Sequence, residues 1–596
     1  MSRKHNPPTG KTRVKNGKAA IANLAKYCKP YWGFIFVAMF FALVGAVLNI
    51  IGPEFIRGIT DEIYDALLGG RDVDLNVIWN IATLLIIFYL AGAIFNLADG
   101  MLMTQATQRT TQRMRKEINH KINRLPLGYL DSHSYGDVLS RVTNDVDTIG
   151  QTLNNAVSSL VGALALLLGS IVMMFVTNWI MALTAIGASI IGFVIMALIM
   201  SKSQKYFVAQ QKSLGSLNGH IEEAYSGQNT IKVYNDESKS RATFDKHNKE
   251  LYTSGWKSQF LSGLMMPLMN FIGNFGYVAV CVVGAALVLN GTISLGVVSA
   301  FIIYVRLFTQ PLSQLAQVGT NLQSTMAASE RVFELLGEKE LSDESEKHLP
   351  TPVVKGAVEF KNVRFGYDDN KDVIHDFSLS VKPGQKVAIV GPTGAGKTTL
   401  VNLLMRFYEV RSGEILVDGV STQDLTREQV HQMFGMVLQD TWLFDGTIAE
   451  NVAYSKEGVT REQIVEACVA AGVDHFIRTL PNGYDTVIDE NTTISAGQKQ
   501  LITIARAMVQ NNPMLILDEA TSSVDTRTEI LIQEAMDKLT QNRTSFVIAH
   551  RLSTIKNADV IIVMQHGDIV ECGTHEELVN KPNGVYQSLY NSQFQE

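Results

Sequence analysis

Charge is scarce in this sequence. Only 18% of its 596 residues are Asp, Glu, Lys or Arg, while 46% are hydrophobic, and a soluble domain carries about 25% charged residues. The scarcity is local. No charged residue stands between Lys29 and Glu54, between Asp74 and Asp99, between Asp147 and Lys202, or between Lys257 and Arg306. Cysteine is also rare: Cys28, Cys281, Cys468 and Cys572 are far apart and share no metal-ligand spacing. That excludes a disulfide framework or a zinc cluster, and the four are read as reduced. The net charge of -6 shows no basic excess, so no nucleic-acid partner is expected. Nor is one core expected, since a chain of this length divides into two or more domains.

The charge gaps carry the first positive signal. A span needs about 20 apolar residues, and a charge at mid-bilayer costs roughly 2.5–3.5 kcal/mol on insertion scales. Each of the two shorter gaps therefore holds one span. The two longer gaps each hold a pair, broken at Thr177-Asn178-Trp179 and at Asn290-Gly291-Thr292. The pattern predicts six spans near 33–52, 77–98, 155–176, 179–201, 262–289 and 297–320. An even number places both termini on one side of the membrane.

Residues 1–32 hold Arg3, Lys4, Lys11, Arg13, Lys15, Lys18, Lys26 and Lys29 without an acidic residue. The segment reads as a cytosolic flank or an anionic-lipid contact. The loop after the first span is acidic, with Glu54, Asp61, Glu62, Asp65, Asp72 and Asp74. The one after the second is rich in Arg109, Arg113, Arg115, Lys116, Lys121 and Arg124. Termini inside is the consistent orientation. Both internal loops read as helical extensions of the spans, turning near Tyr129–Gly136 and near Glu222–Asn229, and such turns could dock on a cytosolic domain.

After about residue 320 the composition becomes that of a cytosolic enzyme. An apolar strand, Val387–Val390, runs into Gly391-Pro-Thr-Gly-Ala-Gly396-Lys397-Thr398 and then a helical pattern. This is a phosphate-binding loop in its required strand–loop–helix context. Its glycines (Gly391, Gly394, Gly396), with Thr393 and Thr399 beside them, let backbone N–H groups converge on phosphates at a helix N-terminus. Lys397 reaches the β/γ-phosphates, and Thr398 is a Mg²⁺ ligand. Downstream, Met514–Leu517 is an apolar strand ending in Asp518 and Glu519. With the phosphate loop present, Asp518 reads as a second Mg²⁺ ligand and Glu519 as the group that polarises the attacking water.

These motifs together resemble an ATP-binding cassette exporter half-transporter of the type IV fold, similar to bacterial heterodimeric multidrug exporters. The resemblance covers about residues 20 to 590. It rests on Val390–Thr399, Leu515–Glu519, Gln439 in the text MVLQDTWLFDGTIAENV, Ser522–Asp525, and His550 in IAHRLSTI. It implies that Gln439 joins Thr398 and Asp518 on the metal, and that Gln439, Asp525 and His550 belong with Glu519 to the catalytic set. It also implies that Tyr367 stacks on adenine. Asp131 and Gly136–Arg141 resemble the first coupling-helix region. The fold class that follows is an α-helical six-span transmembrane domain fused to an α/β P-loop nucleotide-binding domain. Expected limits are a basic segment at 1–32, a transmembrane domain at 33–336, a linker at 337–356 and the nucleotide-binding domain at 357–596.

One motif departs from the pattern. The signature segment, usually Leu-Ser-Gly-Gly-Gln, reads Ile494-Ser495-Ala496-Gly497-Gln498 and follows Asp489-Glu490-Asn491-Thr492-Thr493. The resemblance implies that Ser495, Ala496, Gly497 and Gln498 face ATP held by a second half-transporter. Ala496 adds a methyl where backbone approaches nucleotide. Two readings follow: a symmetric homodimer with a tolerated change, or a heterodimer with one consensus and one degenerate ATP site.

The expected function is ATP-driven export of hydrophobic or amphipathic compounds through a bacterial plasma membrane, with ATP and Mg²⁺ as cofactors. Partners are a second, different half-transporter, the lipid bilayer and a hydrophobic small molecule. Asp99, Met265, Met269 and Arg306 are candidates for the substrate cavity. The alternatives on one architecture are a homodimeric flippase, a siderophore importer and an ATP-gated regulatory subunit.

Overall fold

The computed structural model describes residues 17–347, 354–368, 371–439, 441–489, 494–518, 525–549 and 552–594. The chain forms two compact units. The first comprises residues 1–123 and 134–338, the second 124–133 and 339–596.

The first unit is helical: α1 (Gly17–Tyr27), α2 (Trp32–Leu68), α3 (Leu75–Ile122), α5 (Tyr135–Ser140), α6 (Val146–Thr177), α7 (Trp179–Ser226), α8 (Gln228–Val233), α9 (Glu237–Gly263), α10 (Met265–Leu289) and α11 (Leu295–Gly337). The short α4 (Leu127–Ser132) belongs to the second unit. Among the described residues, six helical stretches are long and apolar enough to cross a membrane, one for each expected span. Their large apolar side chains are widely exposed, among them Phe36, Trp79, Ile86 and Leu198. Exposure of this kind suits a lipid environment, where every backbone group must be satisfied within the helix. Asn178 closes the turn between α6 and α7 and caps α7, its side chain accepting from the N–H of Met181 at 3.0 Å.

Two expectations about the connections need correction. The acidic stretch after the first span is a loop only in part: α2 continues through Glu54, Asp61, Glu62 and Asp65 to Leu68, and only Asp72 and Asp74 lie in the connection to α3. Arg57 sits one turn from both Glu54 (2.7 Å) and Asp61 (3.6 Å) and neutralises their repulsion along the helix. The second internal turn starts only at Gly227, within the expected Glu222–Asn229, and extends beyond it, since Glu222 to Ser226 are the last turn of α7. Gly227 caps it, with its N–H donating to Glu223 O at 2.9 Å. The chain then reverses through α8. The described part of the basic N-terminal segment begins with α1, which is folded onto its own unit. Tyr27 donates to Glu117 at 2.8 Å and stacks edge-on against Phe333.

The second unit is α/β. Six strands lie in the order β12-β11-β3-β10-β9-β6: β3 (Lys386–Val390), β6 (Phe434–Val437), β9 (Met514–Asp518), β10 (Thr544–Ile548), β11 (Val560–Gln565) and β12 (Asp568–Gly573). All pair in parallel except β12. Beside it lies an antiparallel sheet, β2-β1-β4-β5, formed by β1 (Val358–Phe365), β2 (Ile374–Val381), β4 (Ser412–Val417) and β5 (Val420–Ser421). A small pair joins β7 (Gly446–Thr447) to β8 (Val487–Ile488).

The parallel strands are continuous apolar runs because both faces are covered, and β10 is buried at every position. One core lies between β1, β2, β3 and the helix Lys397–Leu404. Another lies under the helices Ile448–Ala453, Arg461–Ala470 and Ala496–Gln510.

The segment after α11 is held to the second unit rather than free. Leu341 donates its N–H to Arg124 O at 2.9 Å. Glu344 meets Arg406 at 2.9 Å and Arg427 at 3.0 Å.

Candidate functional site

Parallel strands aligned by their ladders end at one edge, and loops beyond that edge are where open α/β sheets take ligands. Here Ile389 pairs with Ile548, which pairs with Asp518, and Leu517 pairs with Val437. The register therefore brings the C-terminal ends of β3, β6, β9 and β10 to a common edge. At that edge lie the phosphate loop, Gln439, Asp518 and Ala549.

The loop is shaped by close backbone approach. A β-carbon at Gly391 (φ 153°) would stand 2.2 Å from Met564 O. Gly394 and Gly396 have φ 85° and 102°, the left-handed region where glycine carries no steric cost. Ala395 donates to Pro392 O at 3.1 Å, and Gly567 N–H donates to Ala395 O at 3.1 Å, tying the loop to the β11–β12 turn. Gly396 precedes the helix Lys397–Leu404, whose first turn presents Thr398 exposed and Thr399 buried.

Lys397 is folded over this loop, its Nζ donating to Gly391 O at 2.7 Å and Pro392 O at 3.2 Å. Burial pulls the ammonium below its ordinary pKa, and the Asp518 carboxylate partly restores it. A group desolvated beside a loop of converging N–H groups is poised to gain an anion. Thr393 lies on the exposed rim of the loop.

Tyr367, 48% exposed, stands just past β1. Its hydroxyl is 3.1 Å from Thr399 Oγ1, and its ring meets Phe365 and Tyr408 edge-on at 5.0 and 5.1 Å. It is thus an exposed aromatic face fixed at its edges beside the phosphate loop. Gln439 is exposed two residues beyond β6.

The signature segment lies on the other core. Ser495 is the N-cap of the helix Ala496–Gln510. Gln498 N–H donates to Ser495 Oγ at 3.2 Å, and Ser495 N–H donates to Gln498 Oε1 at 3.0 Å, a reciprocal capping box. Ala496 is exposed on the first turn and Gly497 is buried. Asp525 caps the helix Thr526–Thr540, accepting from Thr528 N–H at 3.0 Å, and that bond holds its carboxyl below the usual range. Among the described residues, no hydrogen bond or ion pair joins Ser495–Gln498 or Asp525 to the phosphate loop. Glu519 and His550 lie outside the described residues, as do Glu490–Thr493 and Ser522–Val524.

The cavity candidates are scattered. Asp99 on α3 accepts from Ser158 Oγ on α6 at 2.7 Å and is half-buried. Arg306 is exposed on α11, Met265 opens α10, and the side chain of Met269 is outside the described residues. No described contact brings these four together. Residues that motif reading missed include Tyr408 and Gly567. Neither has a sequence signal, since each acts through a partner distant in the chain.

Comparison with known proteins agrees with this geometry. Residues 35–312 match the family model of the ABC transporter transmembrane region, and residues 374–522 match the ABC transporter family model. The chain is 43% identical to a fatty acid ABC transporter ATP-binding/permease protein of Mycobacterium bovis, over 98% of this chain and 97% of that one. It is 33% identical to an ATP-dependent lipid A-core flippase of Syntrophus aciditrophicus, over 96% and 94%. A putative multidrug export ATP-binding/permease protein of Bacillus subtilis is 35% identical over 96% and 98%. With six apolar helices and a phosphate-loop domain in one polypeptide, the chain belongs to the ABC transporter family, as an exporter-type half-transporter whose ATPase drives transport.

Proposed function

We propose that this chain exports an amphipathic compound, lipid-like or drug-like, across a bacterial plasma membrane, with both termini and the nucleotide-binding domain in the cytoplasm. The observation that carries the reading is the constrained phosphate loop with Lys397 and Asp518 in one chain with six apolar helices. The relatives' printed substrates (fatty acid, lipid A core, drugs) share an apolar body. The methionine-rich start of α10, with Met265, Met266 and Met269, suits an adaptable apolar surface. Asp99 and Arg306 each stand at the end of an uncharged run and are the charged groups we assign to such a substrate.

At the nucleotide, Tyr367 stacks on the base. Gly391, Thr393, Gly394, Gly396, Lys397 and Thr399 surround the phosphates. The hydroxyl of Thr398, the amide oxygen of Gln439 and the carboxylate of Asp518 are hard oxygen donors of the kind Mg²⁺ takes; they would hold the ion, which when bound would neutralise phosphate charge. Glu519 orients the attacking water, with His550 and Asp525 completing the set.

The chain works with a second half-transporter, whose ATP faces Ser495, Ala496, Gly497 and Gln498. A different partner accounts for Ala496 and for the altered residues before it, leaving one degenerate site. A homodimer is the second reading. It is favoured by the undisturbed capping box at Ser495 and Gln498, since Ala at the first helical position costs the helix nothing.

The test is purification of this chain alone, reconstitution in inverted proteoliposomes, and measurement of ATPase together with uptake of dansylaminoundecanoic acid and of a cationic bisbenzimide dye. ATP-dependent uptake of either probe by the single chain supports export and removes the need for a different partner. ATPase without uptake of either, in the presence of a co-purifying half-transporter as well, overturns the export reading.

A further inference from the structure

Four lysines line one concavity of the helical unit. Facing stripes of α7 and α9 enclose an open groove of about 720 Å³, within the size range of small-molecule sites. The two helices are joined at both ends of it. The hydroxyls of Ser203 and Ser262 meet at 3.4 Å, and His220 Nε2 donates to Ser240 O at 3.0 Å. Lys212 enters from α7, and Lys246, Lys249 and Lys257 enter from α9, all four exposed. Glu250 is the one carboxylate in the lining, and it stands 3.8 Å from His247. Among the described residues, none of the four lysines is in an ion pair. Lys257 lies instead over the ring of Tyr206 at 5.4 Å. Uncompensated positive charge therefore surrounds a floor of Tyr206, Ala209 and lysine stems.

Depth selects what fits. Charge is absent from Asp147 to Lys202 and from Lys257 to Arg306, so Lys202 and Lys257 mark one edge of the hydrocarbon. The exposed Trp256, stacked on Phe260 at 5.5 Å, is an aromatic anchor at that level. From Lys257 the groove continues eleven residues to Lys246, about 16 Å of helix. The headgroup layer is only roughly 5–8 Å thick. An ordinary phospholipid head would meet Lys257 and leave the deeper lysines unmatched. A wholly soluble anion would gain nothing from the opening beside the bilayer.

We propose that the α7–α9 groove binds an amphiphile with its tail in the inner leaflet and an extended head carrying two or more phosphates. The tail leaves at the level of Trp256 and Phe260, and the phosphates meet Lys257, Lys249, Lys246 and Lys212 in turn. The proposal rests on the cytoplasmic orientation of the termini given above, which places this end of α7 on the inner side.

The experiment uses the full-length chain in phosphatidylcholine nanodiscs, with the nucleotide site filled by excess MgADP. The probe is oleoyl coenzyme A, and its retention is measured above that of empty discs. Wild type is expected to bind it saturably. The variant Lys249→Gln/Lys257→Gln should bind about thirtyfold more weakly, about fivefold for each lysine beside a membrane surface. The variant Lys116→Gln/Lys232→Gln removes the same charge outside the groove and should bind as wild type does.

No saturable binding, or equal losses in the two double variants, overturns the proposal. Free coenzyme A competing as well as the acylated form would assign the groove to a soluble polyanion and overturn it. Displacement by phosphatidylglycerol in the disc, at equal charge, would assign it to ordinary anionic lipid with the same result. Loss of binding on adding the second half-transporter would make the groove a subunit contact, which also overturns the site. Orientation is tested apart. Labelling of Lys249→Cys by an impermeant maleimide outside intact cells refutes the inner-leaflet placement, whatever the binding result.

Discussion

The two units use charge in opposite ways, and their glycines meet different neighbours. In the membrane unit, charge is excluded from the spans, and glycines either have open space where a side chain would go, as at Gly162, Gly187 and Gly273, or lie mostly against side chains, as Gly169 does against Ile50 and Gly192 against Ile272. In the nucleotide unit, charges are buried in pairs, and Gly391, Gly413 and Gly567 lie against backbone oxygens at 2.0 to 2.4 Å from where a β-carbon would stand. The environments explain the contrast. Hydrocarbon offers a charge no compensation, so the helices avoid charge and satisfy their backbone internally. A protein core surrounded by water can bury an ion when a counter-ion and N–H groups come with it. The lesson is that a polar group in the first unit is defined by its depth, and one in the second by its partners.

The largest effect that would sharpen this contrast is at Glu519. Substitution Glu519→Gln is expected to keep ATP binding, measured by nucleotide trapping, and to slow turnover by about 10²–10⁴-fold. Wild-type hydrolysis in that variant would assign the water-orienting group elsewhere.

Glycine gives the next test. Gly391→Ala places a methyl against Met564 O at a φ of 153°. It is expected to destabilise the nucleotide unit by roughly 1–3 kcal/mol and to weaken ATP binding. Gly187→Ala meets nothing within 4 Å and should leave the melting temperature in detergent unchanged or slightly raised. Equal losses from both would break the comparison.

A smaller effect depends on pH. Burial raises the pKa of Glu344, but the Arg427 N–H and the guanidinium groups of Arg406 and Arg427 outweigh it and hold the carboxyl below its usual value. A carboxylate lowered on folding adds stability above its unfolded pKa, about 4.3, and loses it as pH falls through the folded value. The melting temperature of the nucleotide unit should therefore drop below about pH 4, and Glu344→Gln should flatten that part of the curve.

The smallest effect is in the membrane unit, where Asp61 on α2 accepts from Gly296 N–H at the start of α11 at 2.8 Å. Asp61→Ala should cost about 1 kcal/mol, the usual worth of a lost helix cap, read as a melting shift in detergent.

Legibility in the sequence differed between the units for the same reason. Six spans were readable because avoidance of charge is a property of each contiguous segment. Their ends were less so: α2 runs on to Leu68 because Arg57 compensates its acidic neighbours, and α7 runs to Ser226 before Gly227 stops it. The phosphate loop was readable because strand, glycines, lysine and helix are consecutive. Asp525, Ser495 and Gln498 were read as ligand-facing from their motifs, and nothing in that reading showed that each also caps a helix, although Ser-x-x-Gln carries the signal.

By itself the sequence determined a half-transporter: one six-span domain, one phosphate loop and one signature. These are local features, fixed by the solvation of a segment or by the geometry of a few successive residues. Only the tertiary structure decided that Gly391 must be glycine because Met564 O lies beside it, and that Glu344 is anchored by Arg406 and Arg427. It also decided that residues 124–133 meet Tyr408, whose ring packs edge-on against Tyr367. Such pairs are separated by tens to hundreds of residues and have no periodicity. Their energy is gained only after the chain has closed, which is why no stretch of sequence announces them.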